Sequence, residues 1–183
     1  MKQMSLLFSL LLVCLSTIAI AQTPVPTPDP ELKKMQAFSG DWTYEGEAKP
    51  TPFGPGGKFS GEQHCEWILN GFALQLSAVE KSANGTVRSL EIDTYDPANK
   101  NFLFNGYDDG GGRYWGVVTL SGNTWTYEGK SVLADKQYLL RGTEAFTADG
   151  MSYTLKAEFS VDGKPWVPGF ETTFHKTKPV AKR

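Results

Sequence analysis

The chain offers few side chains for nucleophilic or metal chemistry: two histidines, His64 and His175, and two cysteines, Cys14 and Cys65. His64 and Cys65 are adjacent in a segment where apolar and polar residues alternate. Adjacent side chains of a strand project to opposite faces, so this pair forms neither a nucleophile and base nor a metal site without a bulge. We therefore predict no catalytic residue and no metal site, and we interpret Cys65 as a small buried hydrophobe.

Aromatic residues make up 13% of the chain and are the feature that best indicates a binding site. Small-molecule sites typically combine apolar and aromatic walls with a few polar groups that orient the ligand. The residues predicted to contact such a ligand are Gln63, Cys65, Trp67, Phe104, Tyr114 and Arg141, with Glu91 as a further polar group. The alternative, that the aromatic residues only fill a core, stays open.

The elements that would position these side chains are strands. Apolar and polar residues alternate with a period of two through most of the chain after Ser39, and turn signals such as Asn70-Gly71, Asn84-Gly85 and Asp149-Gly150 separate the segments. We predict an all-β fold: a closed antiparallel up-and-down barrel of about ten strands, lipocalin- or calycin-like, over residues 31–179. The alternative is an open β-sandwich.

A short N-terminal helix is predicted to precede the first strand. Asp29 can cap it, Pro30 suits its first turn, and Leu32, Met35 and Phe38 fall on one side.

The first 21 residues have the three parts of a secretory signal peptide. Lys2 gives a positive start, an apolar run extends from Leu6 to Ile20, and Ala19-Ile20-Ala21 is a small-x-small cleavage site. A tether with four prolines, residues 22–30, follows. We expect a periplasmic or secreted protein with no stable membrane anchor after cleavage. Cys14 leaves with the peptide, so Cys65 has no intramolecular disulfide partner.

Charge limits the partners. The net charge of the chain is −2, and the loss of Lys2 makes it −3. Because there is no basic stripe, we expect no binding to nucleic acid or to an anionic membrane. A closed barrel leaves no strand edge that requires a dimer, so we expect a monomer.

Several motifs carry a resemblance to a known family. They include Phe38-Ser39-Gly40-Asp41-Trp42, Pro52-Phe53-Gly54-Pro55-Gly56-Gly57, Cys65-Glu66-Trp67, Tyr95-Asp96-Pro97 and Trp125-Thr126-Tyr127-Glu128-Gly129. Together they resemble the bacterial secreted, lipocalin-like family catalogued as domain of unknown function 1579. The resemblance implies the barrel fold and no activity. In lipocalin-like barrels the tryptophan of Gly40-Asp41-Trp42 packs across the barrel floor under a basic side chain, for which Lys176 is the candidate.

A haem site is the alternative that His175 raises. The opening Gly40-Asp41-Trp42 is similar to that of nitrobindins, small barrels that bind haem through a histidine near the C-terminal end. Alternation instead places His175 on the polar face with Glu171 and Thr173, and His64 with Glu62 and Glu66. We therefore expect surface histidines and no cofactor.

The function predicted from these observations is the binding of a small apolar or amphipathic molecule in the barrel cavity. Two alternatives stay open: a structural or protein-interaction domain with a filled barrel, and a haem-binding barrel or an enzyme without a recognisable signature.

Overall fold

The computed structural model describes residues 26–50, 55–133, 136–161 and 163–177. The predicted signal peptide and residues 22–25 of the predicted tether lie outside this part. No helix among the described residues has the length and apolar character needed to cross a membrane.

The described residues form ten antiparallel strands that close into one barrel. The strands are β1 Gly40–Ala48, β2 Gly57–Ile68, β3 Ala73–Ser82, β4 Gly85–Asp96, β5 Asn101–Asp108, β6 Arg113–Ser121, β7 Thr124–Leu133, β8 Lys136–Phe146, β9 Ser152–Val161 and β10 Val167–Lys176. Each strand pairs with its neighbours in sequence, and β1 pairs with β10 to close the barrel. The prediction of a closed ten-stranded up-and-down barrel is confirmed.

The short N-terminal helix is not confirmed as a regular α-helix. Pro30–Ala37 is a 3-10 helix instead, and the Asp29 carboxylate accepts a hydrogen bond from the Glu31 N–H at 2.9 Å. A 3-10 helix has three residues per turn. This period stacks Leu32, Met35 and Phe38 on one side, where all three are buried.

The 3-10 helix packs across one end of the barrel, which we call the floor. The Trp42 indole N–H donates to the Phe38 carbonyl at 2.7 Å, and the Phe38 ring lies 5.2 Å from that of Trp125 and 5.5 Å from that of Tyr153. Edge-on aromatic contacts of this kind contribute about 0.5–1.5 kcal/mol each. The helix, β1, β7 and β9 are thereby joined at the floor.

Lys176 completes the floor as expected. Its ammonium group lies 5.0 Å from the centre of the Trp42 ring and donates to the Ala37 carbonyl at 3.4 Å. Trp42 and Lys176 face each other across the β1–β10 pairing that closes the barrel. The expected packing of a basic side chain on this tryptophan is confirmed.

Candidate functional site

The barrel contains a cavity of about 440 Å³. Met35 and Phe38 line it at the floor, and Val87, Asp108 and Ser131 line it towards the opposite end. Its apolar wall is built from inward-facing strand residues: Leu76, Phe102, Phe104, Val118, Trp125, Leu140, Leu155, Ala157, Phe159 and Phe170. The volume lies within the roughly 300–1,000 Å³ that small-molecule sites occupy.

Inward-facing acids interrupt this apolar wall. The described lining residues include five carboxyls, Glu80, Glu91, Asp93, Asp108 and Glu144, and none of those lining residues is Lys, Arg or His. We call Glu91, Asp93 and Glu144, which interact with one another, the carboxyl cluster. Each keeps some accessible surface because it borders the cavity, although it lies deep within the barrel.

The sheet register brings the cluster together. Glu91 and Asp93 lie on β4 with one residue between them, so both face inward. Glu144 lies on β8, where it pairs with Trp125 of β7 and Leu155 of β9. The cluster therefore spans the barrel from β4 to β8, above the aromatic floor.

Tyr114 and Ser89 interact with the β4 side of the cluster. The interactions of Glu91 with Asp93 and with Tyr114 act to lower the pKa of Glu91, and the interaction with Ser89 acts to lower that of Tyr114. Burial outweighs these contributions at both groups.

Gly106 makes the contact between Tyr114 and Glu91 possible. It lies on β5 between the two residues, paired with both. A Cβ at this position would lie 2.0 Å from the Tyr114 ring. The ring therefore crosses β5 only because Gly106 has no side chain.

Burial and mutual repulsion keep protons on the cluster. Burial raises the pKa of Glu144 to about 8, and the charge of Glu91 adds to this rise. Burial raises the pKa of Asp93 well above its usual range, and repulsion from Glu91 and Glu144 adds to this. Burial also raises the pKa of Glu91, while the hydrogen bonds from Asp93 and Tyr114 limit the rise. Closely spaced carboxyls in an apolar site cannot all ionise at neutral pH.

One oxygen of the cluster has no partner. Asp93 Oδ1 is buried and makes no hydrogen bond within the described part of the chain. A buried polar atom without a partner costs about 1–3 kcal/mol. Asp93 itself is one of the residues that line the cavity.

Three of the predicted contact residues lie on the cavity wall: Gln63, Phe104 and Tyr114. The Gln63 amide donates to the Tyr153 hydroxyl at 3.3 Å and to the Cys65 sulfur at 3.1 Å. Cys65 is buried next to the wall, and burial raises the pKa of its thiol to about 12. Tyr153 links the wall to the floor, because it lines the cavity and its ring also contacts that of Phe38.

Trp67 and Arg141 are placed elsewhere. The Trp67 indole donates to the Gln36 side chain at 2.9 Å, beside the 3-10 helix and away from the cavity lining. Arg141 lies on the outer face, where its guanidinium donates to Glu158 at 2.8 Å and lies 4.3 Å from the centre of the Trp166 ring. Neither residue is among those that line the cavity, and their contact with a cavity ligand stays a prediction.

Both histidines lie on the outer face. His175 is exposed on β10, and the His64 imidazole is 2.6 Å from the Asp41 carboxylate. Neither borders the cavity. No group of histidine, cysteine and acidic side chains among the described residues has the arrangement needed to hold a metal ion.

Sequence reasoning identified Glu91 as a polar contact but missed Asp93 and Glu144. Both belong to segments that alternate normally, and strand position alone predicts that they face inward with Glu91 and Leu140. Inward positions of a strand are normally apolar, because burying an acid is costly. An acid at an inward position could therefore have indicated a functional site.

Comparison with known proteins places the chain in a family. The model of the family described as protein of unknown function (DUF1579) matches residues 27–164. The chain belongs to this family. The resemblance to this family is therefore confirmed, whereas the family match does not bear on export or on a lipocalin-like character. A search of the curated proteins finds no match.

A solved structure supports the barrel fold. The chain is similar to the crystal structure of Rv2717c from M. tuberculosis, with a TM-score of 0.60 and 12% sequence identity over 83% of this chain and 100% of that one. At this identity the likeness shows the fold alone. A de novo designed fluorescence-activating β-barrel also aligns, with a TM-score of 0.40 and 13% identity over 78% of this chain and 95% of that one.

Proposed function

We propose that this protein is an exported, lipocalin-like carrier that binds a small amphipathic molecule inside its barrel. The observation that carries the proposal is the cavity of about 440 Å³, with aromatic walls and a cluster of polar groups that spans it from β4 to β8. A barrel that served only as a scaffold would fill this space with side chains, because empty apolar volume destabilises a core. The proposal includes a monomer in the periplasm or outside the cell.

Haem binding through a histidine has no support in this arrangement. His64 and His175 are the histidines of the chain, and both lie on the outer face. Binding therefore depends on the apolar wall and the acids and hydroxyls that interrupt it.

Filling the cavity tests the proposal. Leu140 and Leu139 are neighbours on β8, but Leu140 is buried on the cavity wall and Leu139 is exposed on the outer face. L140W and L139W therefore add the same volume to the same strand on opposite faces. We expect an environment-sensitive apolar dye to bind the native protein and L139W with equal affinity and to bind L140W at least 10-fold more weakly.

Quenching of tryptophan fluorescence by the dye locates the binding event. Trp125 lies on the cavity wall, so a dye bound in the cavity should quench its fluorescence. Dye binding should therefore quench the tryptophan emission of the native protein more than that of W125F. Thermal unfolding of L140W shows whether the barrel remains folded. Equal dye binding by L139W and folded L140W would refute the proposal.

A further inference from the structure

The cavity lining contains acidic side chains, which a purely apolar ligand would not require. The described cavity lining has five acidic side chains and no basic one. The nearby cations lie on the outer face: Arg141 pairs with Glu158 at 2.8 Å, Lys156 with Glu171 at 3.3 Å and Arg88 with Asp109 at 3.6 Å.

The described lining is therefore acidic and has no internal counter-ion. Among the described cations near the barrel interior, Lys176 is held at the floor by Trp42 and the Ala37 carbonyl. Removing one partner of a buried ion pair costs about 3–5 kcal/mol, because the remaining charge is uncompensated. With no ligand bound, a fully ionised carboxyl cluster would lack a compensating charge, and the cluster avoids this cost by retaining protons.

The polar atoms of the cluster require a donor. Asp93 lines the cavity, and its Oδ1 is buried without a hydrogen bond within the described residues. An ammonium group has three N–H donors and no acceptor, so it complements carboxylates. A ligand carboxylate would place another acidic group beside three carboxyls with no basic residue among the described lining residues.

Aromatic rings surround the carboxyl cluster. Trp125 pairs with Glu144 across β7 and β8, and Phe104 pairs with Asp93 across β4 and β5. Tryptophan and phenylalanine faces attract organic cations, with about 0.5–2 kcal/mol for each contact. The same walls bury the apolar part of a ligand.

We propose that the cavity selects a molecule with a protonated amine attached to an aromatic or aliphatic body, with Glu91, Asp93 and Glu144 holding the ammonium group. This inference rests on the proposed carrier function and names the class of its ligand. Binding displaces protons from the carboxyl cluster, so the ammonium group replaces them as the compensating charge.

Three probes with one ring system test this selection: 1-naphthylmethylamine, 1-naphthalenemethanol and 1-naphthoic acid. Isothermal titration calorimetry at pH 7.5 with the full chain should give at least 10-fold tighter binding of the amine than of the alcohol, with the acid weakest. Repeating the amine titration in buffers of different ionisation enthalpy should show net proton release.

Two double variants separate the cluster from the general charge of the protein. D93N/E144Q removes two carboxyls from the cavity, and E158Q/E171Q removes two from the outer face. The first should bind the amine no more tightly than the alcohol, while its affinity for the alcohol stays within about threefold of the native value. The second should keep the native preference for the amine.

The outcomes distinguish this inference from the carrier function itself. Equal binding of amine and alcohol by the native protein would overturn the selection for a cation but leave the carrier function standing. A preference for the amine that survives in D93N/E144Q, or disappears in E158Q/E171Q, would also overturn it. If the native protein binds none of the probes at millimolar concentration, the carrier function fails too.

Discussion

Replacing Glu144 by glutamine should stabilise the protein above neutral pH. Burial, followed by repulsion from Glu91, raises the pKa of Glu144 from its ordinary 4.5 to about 8. Glutamine has the same shape and no charge, so E144Q removes the cost of ionising this group inside the barrel. The titratable groups that face Glu144 are Glu91 and Asp93 of β4, Tyr127 of β7, Tyr153 of β9 and Cys65 of β2. All of them are acids, so none offsets the effect.

The sign and size follow from proton linkage. Between pH 4.5 and about 8 the folded protein holds a proton on Glu144 that the unfolded chain releases, so the free energy of unfolding falls as the pH rises through this range. Each pH unit accounts for about 1.4 kcal/mol. The cost at pH 7 therefore has a ceiling of about 3 kcal/mol.

Urea denaturation from pH 5 to pH 9 measures this effect. The free energy of unfolding of E144Q should match that of the native protein near pH 5 and exceed it by about 1–3 kcal/mol at pH 8. The control is E158Q, which changes an outer-face carboxyl paired with Arg141 and should show no such growth with pH. A constant difference between E144Q and the native protein at every pH would refute the reasoning.

Three further predictions concern residues that pack around the cavity: Gly106, Lys176 and Cys65. G106A places a Cβ against the Tyr114 ring, so it should lower the free energy of unfolding by about 1–3 kcal/mol in chemical denaturation; a variant as stable as the native protein would contradict the role of Gly106. K176M removes the cation from Trp42 and should cost about 1–2 kcal/mol, whereas K34M, which breaks an exposed pair with Glu31, should cost less than about 0.5 kcal/mol. In a C14S variant, the buried Cys65 thiol should react with a thiol reagent only after denaturation, and rapid labelling of the folded protein would show that it is accessible.

Much of the fold could be predicted because the barrel repeats one physical pattern. Period-two alternation predicted the outward positions of His64 and His175. The type of the N-terminal helix was not predicted. Leu32, Met35 and Phe38 are three residues apart, and this spacing fits a 3-10 helix better than an α-helix.

The site was harder to predict because strand phase is ambiguous where apolar residues are consecutive. Leu139 and Leu140 are adjacent, so the sequence does not show which of them faces inward, and Arg141 was placed in the cavity although Leu140 and Glu144 occupy that face. Closure of the barrel resolves the phase, since β8 must match β7 and β9. Long-range pairing of this kind also brings Glu144 towards Glu91.

Native mass spectrometry of the protein purified from its own host tests the central claim most directly. We predict a non-covalent adduct of a size that fits a cavity of about 440 Å³, present in the native protein and in L139W and lost in folded L140W. A native protein that carries no adduct, and that gains none when incubated with a lipid and metabolite extract of the host, would contradict the claim that the barrel is a carrier.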